Sequence, residues 1–177
     1  MKKIIALLIV VPIALSASSQ AGVYLFIPTV TTNVGSGVHA DEAVLTSFQC
    51  GEAVSISQGG GSPQAGVPSL SEFVVTKAFD LSSLRLQSSL MKGTKQNAVE
   101  IRFYSQTAMS YQVLLEDVFV TSHSSSSDGS GCTSGCQSIS ESLSLQAFSK
   151  VTYRNLTTNP TQSLTYNIKT NTTTLTQ

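Results

Sequence analysis

Residues 71–103 read SEFVVTKAFDLSSLRLQSSLMKGTKQNAVEIRF, and this stretch decides the fold, because a strand, a capped helix and a second strand follow one another in it. From 73 to 79 the residues alternate, with Phe73, Val75 and Phe79 on one face and Val74, Thr76 and Ala78 on the other, the two-residue period of a strand. Asp80 stops that run. Its carboxylate can accept the free amide hydrogens of the next turn, which predicts a helix over residues 81–92 with Asp80 as its N-cap. Lys92 stands where the helix dipole favours a cation, and Gly93 can take the left-handed conformation of a C-terminal cap. Leu81, Leu84, Leu86, Leu90 and Met91 are the expected core contacts of this helix. Val99, Ile101 and Phe103 then resume strand alternation against Glu100 and Arg102.

Working outward, residues 41–57 hold two alternating pieces, Val44, Thr46, Phe48 and then Val54, Ile56, which read as strands bent near Gly51. Residues 58–68 carry Gly59, Gly60 and Gly61 in a row and two prolines, a composition that predicts a mobile surface loop. Beyond the central block, residues 109–122 form the longest apolar strand, with Tyr111, Val113, Leu115 and Phe119 alternating against Gln112, Leu114 and Val118. Residues 122–138 are a low-complexity loop containing Ser124, Ser125 and Gly129. Residues 139–153 and 164–169 supply the last strands, and the threonine-rich tail 170–177 is expected to fray. About eight strands to one helix predicts a mainly β protein, a β-barrel of two sheets with one packed helix. The helix argues against an immunoglobulin-like sandwich, as does the absence of tryptophan and of a widely spaced cysteine pair.

The N-terminus has a different character. Met1, Lys2 and Lys3 precede an apolar run over residues 4–15, too short to span a bilayer, and Ser19 and Ala21 offer the small side chains a signal peptidase reads. This predicts a signal peptide over residues 1–21, cleaved after Ala21, and a single domain over 22–177 that is secreted or periplasmic. The first cysteine is Cys50, far from the cleavage site, so no lipid or membrane anchor is expected.

Charged residues make up only 11% of the chain, well below the ~25% usual in soluble proteins, while serine and threonine abound. Formal charge is zero, from 10 basic and 10 acidic residues. No basic patch with interleaved aromatics suggests nucleic acid, and a weakly charged surface offers little repulsion against self-association. Cys132 and Cys136 lie in GSGCTSGC, residues 129–136, a flexible segment in which an oxidising compartment favours a disulfide. Free thiols are the second reading, and metal binding, for which only His123 is at hand, the third. Cys50 reads by default as a buried apolar cysteine.

The central block resembles the Hcp family, the tube-forming proteins of bacterial type VI secretion systems. Phe73, Thr76, Lys77, Asp80, Ser82, Ser83 and Gly93 stand in the order of that family's strand-to-helix segment. The likeness continues through HADEAVL at 39–45, the glycine run at 59–61, YQVLLEDVFVTS at 111–122, ESLSLQAFSKV at 141–151 and YNIK at 166–169. The resemblance implies a structural ring- and tube-forming subunit: six-fold rings stacked into a hollow tube, carrying cargo in the lumen, with spike, sheath or effector proteins as partners. Under it, Gly59, Gly60, Gly61, Ser124, Ser125 and Gly129 are the expected assembly contacts. The signal peptide stands apart from that picture, since the family acts from the cytoplasm. The alternative reading is therefore an exported monomeric binding or adhesive module on the same fold.

Catalytic chemistry finds little support. There is no G-x-S-x-G nucleophile elbow, and a triad of His123, Asp117 and a serine arises by chance in a chain so rich in serine. His39, Asp41 and Glu42 are too close in sequence to converge on one ion without a more distant ligand, and read as a structural turn. Gly59–Gly61 lack the Lys-Ser/Thr of a phosphate loop. No enzyme activity, cofactor or metal is expected.

Overall fold

The computed structural model describes residues 21–58, 61–106, 108–127 and 139–177. Among the described residues ten strands and one α-helix follow one another: β1 Gly22–Phe26, β2 Ala43–Gln49, β3 Glu52–Ser57, β4 Gln64–Leu70, β5 Phe73–Ala78, α1 Ser83–Lys92, β6 Gln96–Ser105, β7 Ala108–Ser127, β8 Ile139–Asn155, β9 Gln162–Asn167 and β10 Thr172–Thr176. A 3-10 turn, Gly37–His39, precedes β2. The order β8-β5-β2-β1-β6-β7 closes on itself through the β7–β8 pairing, giving a six-stranded antiparallel barrel. Closure removes the free edges a six-stranded sheet would otherwise present.

β8 is long enough to serve two neighbours along one edge. Its first half pairs with β5 and its second half, from Lys150 to Asn155, pairs with β9, which pairs with β10. β3 and β4 pair only with each other, as a separate hairpin.

The barrel interior is filled from every strand, by Leu25, Ala43, Leu45, Phe73, Val75, Val99, Ile101, Val113, Leu115, Leu143, Leu145 and Val151 among others. Alternation accounts for most of this, and two bulges account for the departures. A register shift between Leu45 and Ser47 changes the phase of β2. Ala43 and Leu45 therefore point inward while Val44 is exposed, and Phe48 packs on the core beyond the shift. In β7 the shift falls between Glu116 and Val118, where Asp117 adopts φ 54°. Up to that point Val113 and Leu115 face the core; past it Val118 and Val120 do, and Phe119 meets Phe148 edge-on at 5.5 Å instead. The alternation read from sequence carried one phase through both places, and an extra residue in one strand reverses it.

The helix is shorter than residues 81–92. It begins at Ser83 with Ser82 as N-cap, and Asp80 acts two residues earlier: its Oδ1 accepts the Ser82 N–H at 2.7 Å and the Ser82 hydroxyl at 2.6 Å. Gly93 closes it as expected, at φ 59°, donating its N–H to the Leu90 carbonyl at 3.1 Å. Only part of the expected apolar face is buried. Leu86 is fully enclosed and Leu90 packs on the core, with Ser83 and Ser89 beside them. Leu81, Leu84 and Met91 are exposed, as is Phe79 just before the helix.

Three expected loops or tails also differ. Residues 64–68 belong to β4 rather than to a loop. Residues 122–127 continue β7, paired with Ser140–Ser144 and Ile139 of β8. Residues 172–176 form β10 against β9 rather than a frayed end.

Candidate functional site

The least expected feature is a buried charge cluster at the junction of β5, α1 and β8. Inward alternation in β5 runs Phe73, Val75, Lys77, and in β8 it runs Glu141, Leu143, Leu145; the register sets Lys77 directly opposite Glu141. Lys77 is 0% exposed and Glu141 1%. The Lys77 Nζ lies 2.9 Å from Glu141 Oε2 and 2.9 Å from Asp80 Oδ1, and donates to Ser83 Oγ and the Ala78 carbonyl at 3.0 Å each. Ser83 donates its hydroxyl to Glu141 at 2.7 Å, and His123 Nε2 stands 3.2 Å from the other oxygen of that carboxylate. Burial by itself would push the Glu141 carboxyl up. Hydrogen bonds from Ser83, Lys77 and His123, with the Lys77 charge, outweigh burial and hold it below the ordinary range. The cluster thus ties the end of β5 and the start of α1 to the β7–β8 pair. His123 sits in β7 rather than in a loop, and it turns to Glu141 and not to Asp117. Asp117 instead pairs with Lys95 at 2.7 Å and Lys169 at 3.1 Å.

A second network holds the turn before β2. His39 is buried, its ring stacked on Tyr24 at 4.0 Å with Tyr104 edge-on at 4.6 Å, and its Nδ1 is 2.5 Å from Glu42 Oε2. The other Glu42 oxygen accepts from Arg102 at 2.6 Å and from the Tyr104 hydroxyl at 3.0 Å. Arg102 also donates to Glu100 at 2.7 Å and covers the Phe26 ring at 3.8 Å. Asp41 is turned away and accepts the Asn33 N–H at 2.9 Å. His39, Asp41 and Glu42 therefore form a structural turn, the reading their spacing favoured. Among the described residues no three His, Cys, Asp or Glu side chains are grouped to hold a metal ion.

The residues expected at assembly surfaces fall into three situations. Gly61 lies at the bend where the β3–β4 hairpin turns. Ser124 and Ser125 lie in β7, paired with Ser142 and Glu141, at the stretch of β8 that also pairs with β5. Gly59, Gly60, Gly129, Cys132 and Cys136 lie outside the described residues. Cys50 is an exposed free thiol rather than a core residue, at the corner between β2 and β3.

The β3–β4 hairpin is the most conspicuous surface element. Every residue of β3 is exposed, and so are all of β4 except Leu70, with Val54, Ile56 and Val67 presented to the outside. An isolated two-stranded hairpin is marginal in water, and exposed β-branched side chains mark a surface that awaits a partner. Two tethers hold its root: the Tyr153 hydroxyl donates to Glu52, and the Tyr166 hydroxyl to the Pro68 carbonyl at 3.2 Å.

A closed six-stranded barrel with a flanking helix, buried ion pairs that staple its elements, and one separate exposed hairpin define the class, a mainly β barrel protein with one packed helix. Its family can be stated more narrowly. The family model described as "Type VI secretion system effector, Hcp" matches residues 24–159, and the chain belongs to the Hcp family. The fold agrees. A solved structure described as a type six secretion system protein superposes with a TM-score of 0.73 at 18% identity, over 88% of this chain and 100% of the other. Hcp1 from Salmonella typhimurium gives 0.70 at 18% identity over 88% and 100%, and the secreted protein Hcp3 from Pseudomonas aeruginosa 0.62 at 17% over 84% and 98%. No curated protein sequence matches the chain. Among the described residues no helix is long and apolar enough to cross a membrane.

Proposed function

We propose that this chain is a type VI secretion tube subunit in which residues 22–177 form rings, six-fold as in the family it belongs to, and the rings stack into a hollow tube with cargo held non-covalently in the lumen. The observation that carries this reading is the β3–β4 hairpin, which stands off the barrel with Val54, Ile56 and Val67 exposed. Membership of the Hcp family supports the same role. Gly59, Gly60, Gly61, Ser124, Ser125 and Gly129 are assigned to contacts between rings. Leu81, just before α1, and Leu84 and Met91 on it are assigned to contacts around the ring. Residues 1–21 direct export, Cys132 and Cys136 join in the oxidising compartment, and the partners there are other copies of the chain.

Negative-stain electron microscopy of the exported protein at low and high concentration tests this. Rings or tubes are expected, with Ile56→Asp/Val67→Asp leaving the barrel folded by circular dichroism while shortening or abolishing tubes. Single particles at every concentration would refute assembly and leave a monomeric binding module. Mass spectrometry of the exported chain checks the N-terminus, with Gly22 expected first.

A further inference from the structure

The root of the β3–β4 hairpin does not seal against the barrel sheet. It leaves a cavity of about 510 Å³ between Glu52 and Leu70 on the hairpin side and Tyr111, Tyr153, Leu164 and Tyr166 on the sheet side. That volume lies within the range of small-molecule sites. Three tyrosine rings line it, and two of them are oriented by their hydroxyls: Tyr153 donates to Glu52, and Tyr166 to the Pro68 carbonyl at 3.2 Å, with Asn171 Oδ1 at 3.1 Å from the same hydroxyl. No lysine or arginine lines the cavity, and Glu52 has no ion-pair partner among the described residues. The Tyr111 hydroxyl is pushed above its ordinary range by burial first, then by negative charge at Cys50 and Glu52 beside it, as expected of an apolar site of negative character.

An apolar, aromatic cavity with one uncompensated carboxylate selects against anions, which lose hydration beside Glu52 and gain no donor cluster. It also offers neutral polar molecules few convergent hydrogen bonds. An organic cation gains from both components, since ring faces attract a weakly hydrated ammonium and the carboxylate supplies its counter-charge. We propose that this cavity binds a small alkylated ammonium compound, with the rings of Tyr111, Tyr153 and Tyr166 against its alkyl groups and Glu52 as its counter-ion. The ligand bridges hairpin and sheet, so its binding steadies the hairpin on the barrel. This assignment does not depend on tube formation, and it holds equally for a monomer.

The test is a heteronuclear NMR titration of the purified protein with choline, and in parallel with choline's neutral isostere, in which carbon replaces nitrogen. Saturable shifts are expected around Cys50, Glu52, Tyr111, Tyr153 and Leu164 with choline, and binding at least about tenfold weaker for the neutral compound. Glu52→Gln should weaken choline by a similar factor while the remaining spectrum keeps its dispersion. Absence of saturable shifts with choline, or an equal response to both compounds, would overturn the proposal. The comparison of ligands on the unchanged protein keeps the test decisive even where a variant fails to fold.

Discussion

Replacing Lys77 with methionine isolates the energetics of the buried cluster. The substitution keeps an unbranched side chain of similar length but removes the cation that faces Glu141 and Asp80 at 2.9 Å each. Asp80 is partly exposed and can regain water. Glu141, at 1% exposure, cannot, and it is left with the Ser83 hydroxyl and His123 alone. Removing one partner of a buried ion pair costs about 3–5 kcal/mol, most of it the uncompensated charge. With a urea slope of about 2 kcal/mol/M for a domain of this size, the unfolding midpoint should fall by roughly 1.5–2.5 M at pH 7. Because the penalty belongs to the stranded carboxylate, Lys77→Met/Glu141→Leu should regain most of the loss.

The pH dependence has a definite sign. In the native protein the Glu141 carboxyl is held below its ordinary range, so it contributes stability above the unfolded value of about 4.3, and that contribution is lost as pH falls through the lower folded value. In Lys77→Met the folded carboxyl rises above the unfolded value and opposes folding at neutral pH. The gap between the two proteins should therefore be widest at neutral pH and should close as pH falls past the carboxylate range. Urea titrations followed by circular dichroism at several pH values read both effects. A loss below about 1 kcal/mol at pH 7, or a gap that stays constant with pH, would refute the reasoning.

On the helix, Leu86→Ala should cost about 2–5 kcal/mol by emptying a fully buried site, whereas Leu84→Ala, at 66% exposure, should stay within about 0.5 kcal/mol; thermal melts of both separate core from surface. Gly35→Ala should destabilise by about 1–3 kcal/mol, because a Cβ there would stand 2.0 Å from the His39 carbonyl oxygen and 2.7 Å from that of Glu42. Carbon-detected NMR titration should place the Asp117 carboxyl below its ordinary range, held there by hydrogen bonds from Lys95 and Lys169, with an upward shift in Lys95→Ala or Lys169→Ala and in high salt.

Much of the fold was legible because its signals are local. Alternation at Phe73 and Val75, the stop at Asp80, the left-handed residue Gly93 and the return of Val99 and Ile101 all follow from side-chain period and backbone preference within a few residues. The strand-helix-strand order and the family resemblance rest on these, and both agree with the closed barrel and the match over residues 24–159. The misread phases of β2 and β7 share one cause. A bulge at Asp117 or after Leu45 adds one residue to a strand, reversing every later side chain, and no single side chain announces it. The clue at Lys77 was parity with Phe73 and Val75, but a lysine at an inward position is acceptable only if a buried acid waits opposite it.

That acid lies 64 positions away at Glu141, on a strand paired in register with β5. The sequence by itself determined the central strand-helix-strand order, the glycine that ends the helix, the mainly β class and the likeness to a family. Only the tertiary structure decided the phase of β2 and β7, the partners of Lys77 and His123, the outward turn of Leu81, Leu84 and Met91, and the cavity under the hairpin. The physical reason is that period and capping act through neighbours in the chain, whereas charge pairing, burial and cavity shape depend on which distant strands closure of the barrel brings together.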